Sequence, residues 1–310
     1  MFRARPRRIS ATIAVTRFHL LCLTAKDYFG MAASYQILDP QTGETTARRG
    51  ACALAMMIKA PRAGASKTRL VPPLTHKQAA ALSVSFLCDT AANMAGACAA
   101  NTANVDAVDA VAVYTPVGSE GAFDDLLPQS FAMLAQRGDS LGERLSHAAV
   151  DLLRLGYESC CLIDSDSPTL PRALLIAAIE ELRRPGDRVV LGPADDGGYY
   201  LIGMKRAHRR LFAEIAWSTA EVLGQTIERA REINLDVALL PTWYDVDDAS
   251  TLRRLCGELF GEPGRDGECD TKLAPYPAPH TRAALARLLE GEGRTRIRAE
   301  GEETLGESVA

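Results

Sequence analysis

The sequence lacks a long hydrophobic run, since nowhere in its 310 residues do 18 apolar residues follow one another. A membrane-spanning helix needs about 20 such residues, so a transmembrane helix is excluded. The chain also lacks a large net charge, because 39 acidic residues nearly balance 35 basic ones and leave −4. This balance gives no electrostatic reason to expect a nucleic-acid partner or an anionic membrane surface.

Cysteines in a metal-binding or redox pattern are missing too. The eight cysteines do not form the spaced pairs of a zinc site or of a redox dithiol. Cys160 and Cys161 are adjacent within an apolar run that predicts a buried strand. A reduced, cytoplasmic protein of ordinary globular composition, with 47% hydrophobic and 24% charged residues, is the simplest interpretation.

The two ends of the chain differ in composition from its middle. Residues 1–50 carry eight basic residues against three acidic ones. We interpret them as a disordered basic extension, or as sequence upstream of a true start at Met31. Residues 257–310 are rich in Gly, acids and Pro around one helix-like segment, and they predict a linker, a short helix and a disordered tail. The structured domain is then residues 51–256.

Strand-like and helix-like segments alternate through this domain. The predicted strands are 53–58, 108–114, 131–135, 159–163, 188–194, 199–204 and 237–241, and the predicted helices begin near residues 75, 141, 171, 219 and 248. This alternation predicts an α/β fold with a mostly parallel sheet covered by helices on both faces. In such sheets, ligands bind at the carboxyl ends of the strands.

A basic loop follows the first predicted strand. The segment IKAPRAGASKTRL combines small residues such as Gly64 with four cations, among them Lys59, Lys67 and Arg69. Small residues let backbone N–H groups approach an anion and the cations neutralise it. We therefore predict that phosphates bind to four residues of this loop: Lys59, Gly64, Lys67 and Arg69. The spacing fits neither a Walker A loop nor a dinucleotide-binding glycine pattern. The alternative is a solvated basic loop.

Three acid clusters follow later strands. Asp164 and Asp166 come after 159–163, where an Asp-x-Asp pair can direct two carboxylates toward one hard cation. Alternatively, they form a turn and cap the next helix. The cluster DDGG at 195–198 is either a hairpin turn or part of the site, and YDVDD at 244–248 either caps the last helix or contributes acids. Each acid cluster alone could arise by chance. Three of them at strand ends, opposite one basic loop, are much less expected by chance and therefore favour a functional site.

Together these segments resemble a known bacterial family. KAPRAGASKTRL, GDSLGERLSHA, DSDSPTLP, GPADDGGYYLIG, IAWST and YDVDD occur in the order seen in GT-A-like glycosyltransferases of the rSAM/selenodomain-associated transferase type. The resemblance covers about residues 51–256. It implies a single domain with the nucleotide-diphospho-sugar transferase fold, built on a central mixed sheet. A more distant resemblance runs to guanylyltransferases of deazaflavin-coenzyme synthesis and to molybdenum-cofactor nucleotidyltransferases.

The expected cofactor is Mg²⁺ or Mn²⁺, because oxygen ligands without a His/Cys cluster favour hard cations. We predict that it binds mainly through Asp166, assisted by Asp164 or Asp247. The resemblance supports this order, since the common family form is Gly-x-Asp-x-Pro. Asp166 matches the family acid, whereas Asp164 replaces the glycine.

The acceptor side is predicted to lie across the cleft. Asp196 is the candidate catalytic base and Asp195 its neighbour in acceptor binding, since a carboxylate can take the proton of a hydroxyl. Gly197 and Gly198 allow close approach of backbone to a ligand. Trp217, in the family-like IAWST segment, either lines the acceptor pocket or is a buried structural residue.

These features favour a metal-dependent glycosyltransferase that moves a sugar from a nucleotide-diphosphate donor to a small-molecule acceptor. The alternative is a nucleotidyltransferase that joins an NTP to a phosphorylated small molecule and releases pyrophosphate. A third hypothesis, a non-catalytic binding module, does not explain why mutually repelling carboxylates are gathered. The sequence leaves the oligomeric state open.

Overall fold

A computed structural model describes the chain over residues 35–42, 50–101, 107–261, 273–290 and 296–297. Its strands are β1 (Gln36–Leu38), β2 (Cys52–Lys59), β3 (Val108–Thr115), β4 (Ala132–Ala135), β5 (Ser159–Ile163), β6 (Arg188–Pro193), β7 (Tyr199–Met204) and β8 (Asp236–Leu239). Its helices are α1 (His76–Asn101), α2 (Leu141–Arg154), α3 (Arg172–Arg183), α4 (Val222–Glu232), α5 (Ala249–Phe260) and α6 (Pro279–Leu288). Each strand and helix predicted from the sequence corresponds to one of these elements.

The strands of the described residues form one mixed sheet. Its order is β1-β4-β3-β2-β5-β7-β6-β8. Every neighbouring pair is parallel except those of β7, which runs antiparallel to both β5 and β6. Helices α1 and α3 pack on one face, and α2 and α4 on the other. The predicted fold class, a mostly parallel α/β sheet covered on both faces, is confirmed.

The central strand β2 shows why both faces must be covered. Ala53 and Ala55 belong to the hydrophobic cluster that includes Leu145 and Leu152 of α2. The neighbouring Leu54 and Met56 are also fully buried. Because successive strand residues point to opposite faces, these two side chains lie on the other side of the sheet. A strand that is buried on both faces has a continuous apolar sequence, and β2 has such a sequence, CALAMMIK.

Two helices that border the site begin at capping boxes. The Ser140 hydroxyl accepts a hydrogen bond from the Glu143 backbone N–H (3.2 Å), and the Glu143 carboxylate accepts one from the Ser140 N–H (3.1 Å). Asp248 and Thr251 form the same reciprocal pair at the start of α5. Each box satisfies N–H groups that a helix end leaves unpaired. Asp248 is therefore occupied as a helix cap.

The described domain extends beyond the predicted boundaries of 51 and 256. Strand β1 lies within the predicted N-terminal extension, yet it pairs in parallel with β4 at the edge of the sheet. Helix α6 corresponds to the short helix predicted after residue 256, and it packs against α1. Residues 1–34 and 262–272, which carry most of the predicted extension and linker, lie outside the described residues. No helix in the described ranges is both long enough and apolar enough to cross a bilayer.

Candidate active site

Two adjoining cavities lie at the carboxyl ends of the central strands. The larger, about 370 Å³, contains four cations among its lining residues, and we name it the basic cavity: Lys59, Lys67, Arg69 and Arg144. The smaller, about 210 Å³, contains four carboxylates, and we name it the acidic cavity: Asp164, Asp166, Asp196 and Asp245. Asp166 lines both cavities, together with Met57 and Leu141. The basic cavity thus also has two carboxylates in its lining, Asp166 and Asp247, and the two cavities meet at Asp166.

Lys67 connects the basic loop to two of the acid clusters. Its ammonium lies 2.9 Å from Asp166 Oδ1 and 2.6 Å from Asp247 Oδ1. The Lys67 side chain is only 7% exposed. Burial works to lower the pKa of Lys67, but the two carboxylates outweigh it and the pKa is raised. Lys67 therefore carries a positive charge at neutral pH, held between two acids that are far apart in sequence.

Asp164 shapes the turn that presents Asp166. Its Oδ1 accepts a hydrogen bond from the Asp166 backbone N–H (3.1 Å), and its Oδ2 accepts one from the Ser167 hydroxyl (3.3 Å). Burial raises the pKa of Asp164 well above its ordinary value, and the nearby charges of Asp166 and Asp245 add to the shift. Asp164 thus combines the predicted turn role with a place on the acidic cavity.

Asp245 is a site residue that the sequence analysis did not single out. It lines the acidic cavity, and burial, followed by the charges of Asp247 and Asp196, raises its pKa to about 7. The backbone N–H of Val246 donates to the Asp166 carbonyl (2.9 Å), which holds the two acid loops together. The signal was present in the YDVDD segment, where Asp245 and Asp247 flank a buried valine.

The residues fit a hard divalent cation. No group of three or more His, Cys, Asp or Glu side chains in the described ranges is already arranged around a metal position. Asp166 and Asp247 nevertheless hold one cation between their oxygens, the ammonium of Lys67. Burial is the main cause of the raised pKa values of Asp164 and Asp245, and neighbouring carboxylates add to it, so a bound cation would favour their ionised forms. Carboxylate oxygens are the ligands that Mg²⁺ and Mn²⁺ prefer, so Asp166, Asp247 and Asp164 would hold such an ion.

The loop between β6 and β7 directs its two acids to different places. Asp196 lines the acidic cavity, and its Oδ1 accepts a hydrogen bond from the Gly198 backbone N–H (2.8 Å). Asp195 lines neither cavity, because its carboxylate pairs with Arg254. The Arg254 guanidinium in turn stacks 3.9 Å from the centre of the Tyr244 ring. The structure therefore brings Asp196 into the site with Asp166 and leaves Asp195 outside it.

The two glycines of this loop also differ in position. Gly198 lines the acidic cavity, whereas Gly197 does not. Gly197 has φ +90° and packs so closely on Ala220 that an added Cβ would lie 2.2 Å from the Ala220 carbonyl oxygen. Only glycine combines this backbone angle with this close approach. The role of Gly197 is to shape the loop.

Trp217 forms an aromatic wall of the acidic cavity. Its indole meets the Tyr199 ring edge-on, with the ring centres 6.4 Å apart. Gly142 of α2 makes room for it, because a Cβ at that position would lie 2.6 Å from the indole nitrogen. Trp217 is therefore both packed against the scaffold and presented to the cavity.

The predicted phosphate-binding residues are only partly brought together. Lys59 is exposed at the end of β2, and Arg69, which is 69% exposed, lies 3.9 Å from Asp247 Oδ2; both line the basic cavity. Gly64 adopts φ +78° in open space and lines neither cavity.

Arg144 is a further cation of the basic cavity that the sequence did not indicate as a site residue, although it lies in the GDSLGER segment. It lines the basic cavity while its Nε donates to the Gly138 carbonyl (3.0 Å).

Comparison with known proteins supports the fold. The family model described as uncharacterized proteins conserved in bacteria (DUF2064) matches residues 98–219. A crystal structure from Desulfovibrio desulfuricans G20, provisionally named a nucleotide-diphospho-sugar transferase, is similar at 29% identity and a TM-score of 0.63, covering 81% of this chain and 98% of that one. No curated protein sequence matches the chain.

Two further solved structures are only distantly similar to this chain. A CMP:2-keto-3-deoxy-manno-octonic acid synthetase complexed with CTP has 9% identity and a TM-score of 0.42, covering 66% of this chain and 96% of that one. A mannosyltransferase from Pyrobaculum calidifontis with GDP-Man and Mn²⁺ has 15% identity and a TM-score of 0.38, covering 86% and 78%. The sheet order and the Desulfovibrio structure together show that this chain has the nucleotide-diphospho-sugar transferase fold.

Proposed function

We propose that the protein is a metal-dependent glycosyltransferase that moves a sugar from a nucleotide-diphosphate donor to a hydroxyl group of a small-molecule acceptor. The observation that carries this proposal is the Lys67–Asp166 pair at the boundary of the two cavities. A donor that crosses this boundary has its diphosphate beside cations and its sugar beside carboxylates. The provisional name of the similar Desulfovibrio protein supports the same class.

The basic cavity suits the diphosphate. Lys59, Lys67 and Arg69 line it, and fixed cations in a partly enclosed site stabilise the charge that develops on a departing phosphate. The Lys67 ammonium is fixed in position by its two carboxylate partners, whereas Arg69 is largely exposed. A divalent cation held by Asp166 and Asp247 would neutralise the same phosphates.

The acidic cavity suits an acceptor hydroxyl. The acceptor oxygen attacks the anomeric carbon of the sugar, the bond from that carbon to the phosphate oxygen breaks, and the nucleoside diphosphate leaves. Asp196 takes the proton of the hydroxyl as general base. The Trp217 indole offers an apolar face against which a sugar or another compact acceptor can pack.

Nucleotidyl transfer is the second candidate, because four cations on one cavity would also suit a triphosphate. The acidic cavity argues against it. Of the residues described, none that lines this cavity is basic, whereas four are aspartates. A phosphorylated acceptor would bring negative charge next to these carboxylates, which opposes binding.

The reaction products distinguish the two candidates. The protein is incubated with Mn²⁺, an acceptor extract, and either nucleotide sugars or NTPs, and the released phosphates are identified. We expect nucleoside diphosphate from nucleotide sugars, and much less of it with the Asp196→Asn variant. Pyrophosphate released from an NTP in an acceptor-dependent way would contradict the proposal in favour of nucleotidyl transfer.

A further inference from the structure

Gln136 follows β4 and connects the ends of three neighbouring strands. Its backbone N–H donates to the Tyr114 carbonyl of β3 (2.8 Å). Its side-chain Nε2 donates to the Val113 carbonyl of β3 (2.7 Å) and to the Ile58 carbonyl of β2 (3.0 Å). Since the sheet order is β4-β3-β2, the amide reaches across β3 at the edge where the basic cavity opens.

These bonds fix the orientation of the Gln136 amide. Both amide hydrogens are used by backbone carbonyls. A flipped amide would lose both bonds and place Oε1 against two carbonyl oxygens. Gln136 lines the basic cavity and is partly exposed, and none of the described residues donates a hydrogen bond to Oε1. The cavity therefore contains a carbonyl oxygen that can only accept, held in one direction.

Gln136 and the cations Lys67 and Arg69 line one cavity but follow different strands of the sheet. Lys67 meets Asp166, which follows β5, whereas Gln136 follows β4 on the opposite side of β2. Neighbouring strands are about 4.8 Å apart, so β2 and β4 are separated by about 10 Å. A nucleotide whose phosphates lie at Lys67 would extend its base along the ends of β3 and β4.

We propose that Gln136 determines the base specificity of the donor nucleotide by accepting a hydrogen bond from a ring N–H of guanine, uracil or thymine. This inference rests on the proposed use of a nucleotide donor. Guanine carries such a hydrogen on N1, and uracil and thymine carry one on N3. Adenine and cytosine have a lone pair at the corresponding ring nitrogen, which would face the lone pairs of Oε1. A fixed acceptor left without its donor disfavours the wrong base.

Calorimetric titration with five nucleoside diphosphates in the presence of Mn²⁺ tests the proposal. We expect the wild-type protein to bind GDP, UDP or dTDP at least about ten-fold more tightly than ADP and CDP. Gln136→Met, which is similar in size and has no amide, should lose this preference by weakening only the favoured nucleotide. Lys59→Met is the matched control, since losing a phosphate contact should weaken all five nucleotides alike. A preference that Gln136→Met leaves intact would overturn the proposal.

A second measurement needs no variant and covers the case in which Gln136→Met fails to fold. The favoured nucleotide is compared with its analogue methylated on the same ring nitrogen, N1-methyl-GDP, N3-methyl-UDP or N3-methyl-dTDP. We expect wild-type affinity for the analogue to fall at least about ten-fold, to the level of ADP and CDP. Equal affinity for the methylated nucleotide, or tightest binding of ADP or CDP, would refute the role of Gln136. If no nucleotide binds at all, the proposed function fails and this inference fails with it.

Discussion

Single charged residues near Asp166 explain how one small region serves two cavities of opposite character. Lys67 is buried between Asp166 and Asp247, so its charge is fixed in place. Asp196 faces the acidic cavity, whereas its neighbour Asp195 is paired with Arg254. Asp195 and Asp196 are adjacent in the sequence but have different contacts. Substituting each one separately therefore distinguishes an effect on stability from an effect on the reaction rate.

Asp196→Asn and Asp195→Asn should have different effects. Asn at 196 keeps an oxygen for the Gly198 N–H, so the turn and the melting temperature should be unchanged. The loss of general-base catalysis should lower the single-turnover rate about 100- to 10,000-fold. Asn at 195 weakens the pair with Arg254, which is partly exposed, so we expect stability to fall by about 1 kcal/mol or less and the rate to be nearly retained. A normal rate for Asp196→Asn at saturating acceptor would remove Asp196 from the chemistry.

Residue-level prediction from the sequence was strongest where a motif follows a strand. Lys67, Asp166 and Asp247 were identified in this way, and the structure brings them together. The pairing of Asp195 with Arg254 spans 59 residues, and no local pattern indicates it. Gln136 was overlooked for a similar reason. A single amide after a short strand becomes significant only when neighbouring strand ends supply its partners.

At the scale of secondary structure elements, α6 is a helix that the sequence predicts without showing what it packs against. Its N-terminus is held by Asp89 of α1, whose two carboxylate oxygens accept hydrogen bonds from the backbone N–H groups of His280 (3.0 Å) and Thr281 (2.7 Å). The segment before the helix is also attached, because the Tyr276 N–H donates to the Thr169 carbonyl (2.9 Å). Thr169 lies three residues after Asp166, so the C-terminal segment supports the loop of the site.

Asp89→Ala should destabilise the protein by about 1–3 kcal/mol, because two backbone N–H groups lose their acceptors in a position where Asp89 is 0% exposed. Chemical denaturation with urea measures this change. Asp89→Asn is the matched control, since it keeps one acceptor oxygen and should lose less. If Asp89→Ala unfolds at the same urea concentration as the wild type, α6 is not held in this way.

The limits of sequence-based prediction at this scale have physical causes. Long apolar runs such as β2 and strongly amphipathic segments such as α2 have clear periodicity, and both were predicted. Strand β1 has three residues, of which Ile37 is 53% exposed, so it carries little hydrophobic signal. The docking of α6 depends on α1, almost 200 residues earlier in the chain. Neither the pairing of β1 with β4 nor the packing of α6 on α1 can be inferred from a short stretch of sequence.

At the scale of the whole molecule, the parallel strands bring the ends of separate segments to one edge of the sheet. The basic loop after β2, the acid loop after β5 and the late Asp-Val-Asp segment meet there through Lys67. The sequence predicts this meeting, because parallel strands place their carboxyl ends on the same edge of the sheet. The sequence does not predict that these strand ends form two cavities that share Asp166.

The most direct test of this account measures whether Asp166 couples a divalent cation to nucleotide binding. The nucleoside diphosphate that the wild-type protein binds most tightly is titrated calorimetrically with and without Mn²⁺. Asp166→Asn is compared with Asp236→Asn, a control at an exposed acid in β8. We expect Mn²⁺ to increase the affinity of the wild type and of Asp236→Asn, and to leave that of Asp166→Asn nearly unchanged, with folding retained in all three. Full Mn²⁺-dependent affinity in Asp166→Asn would contradict the account.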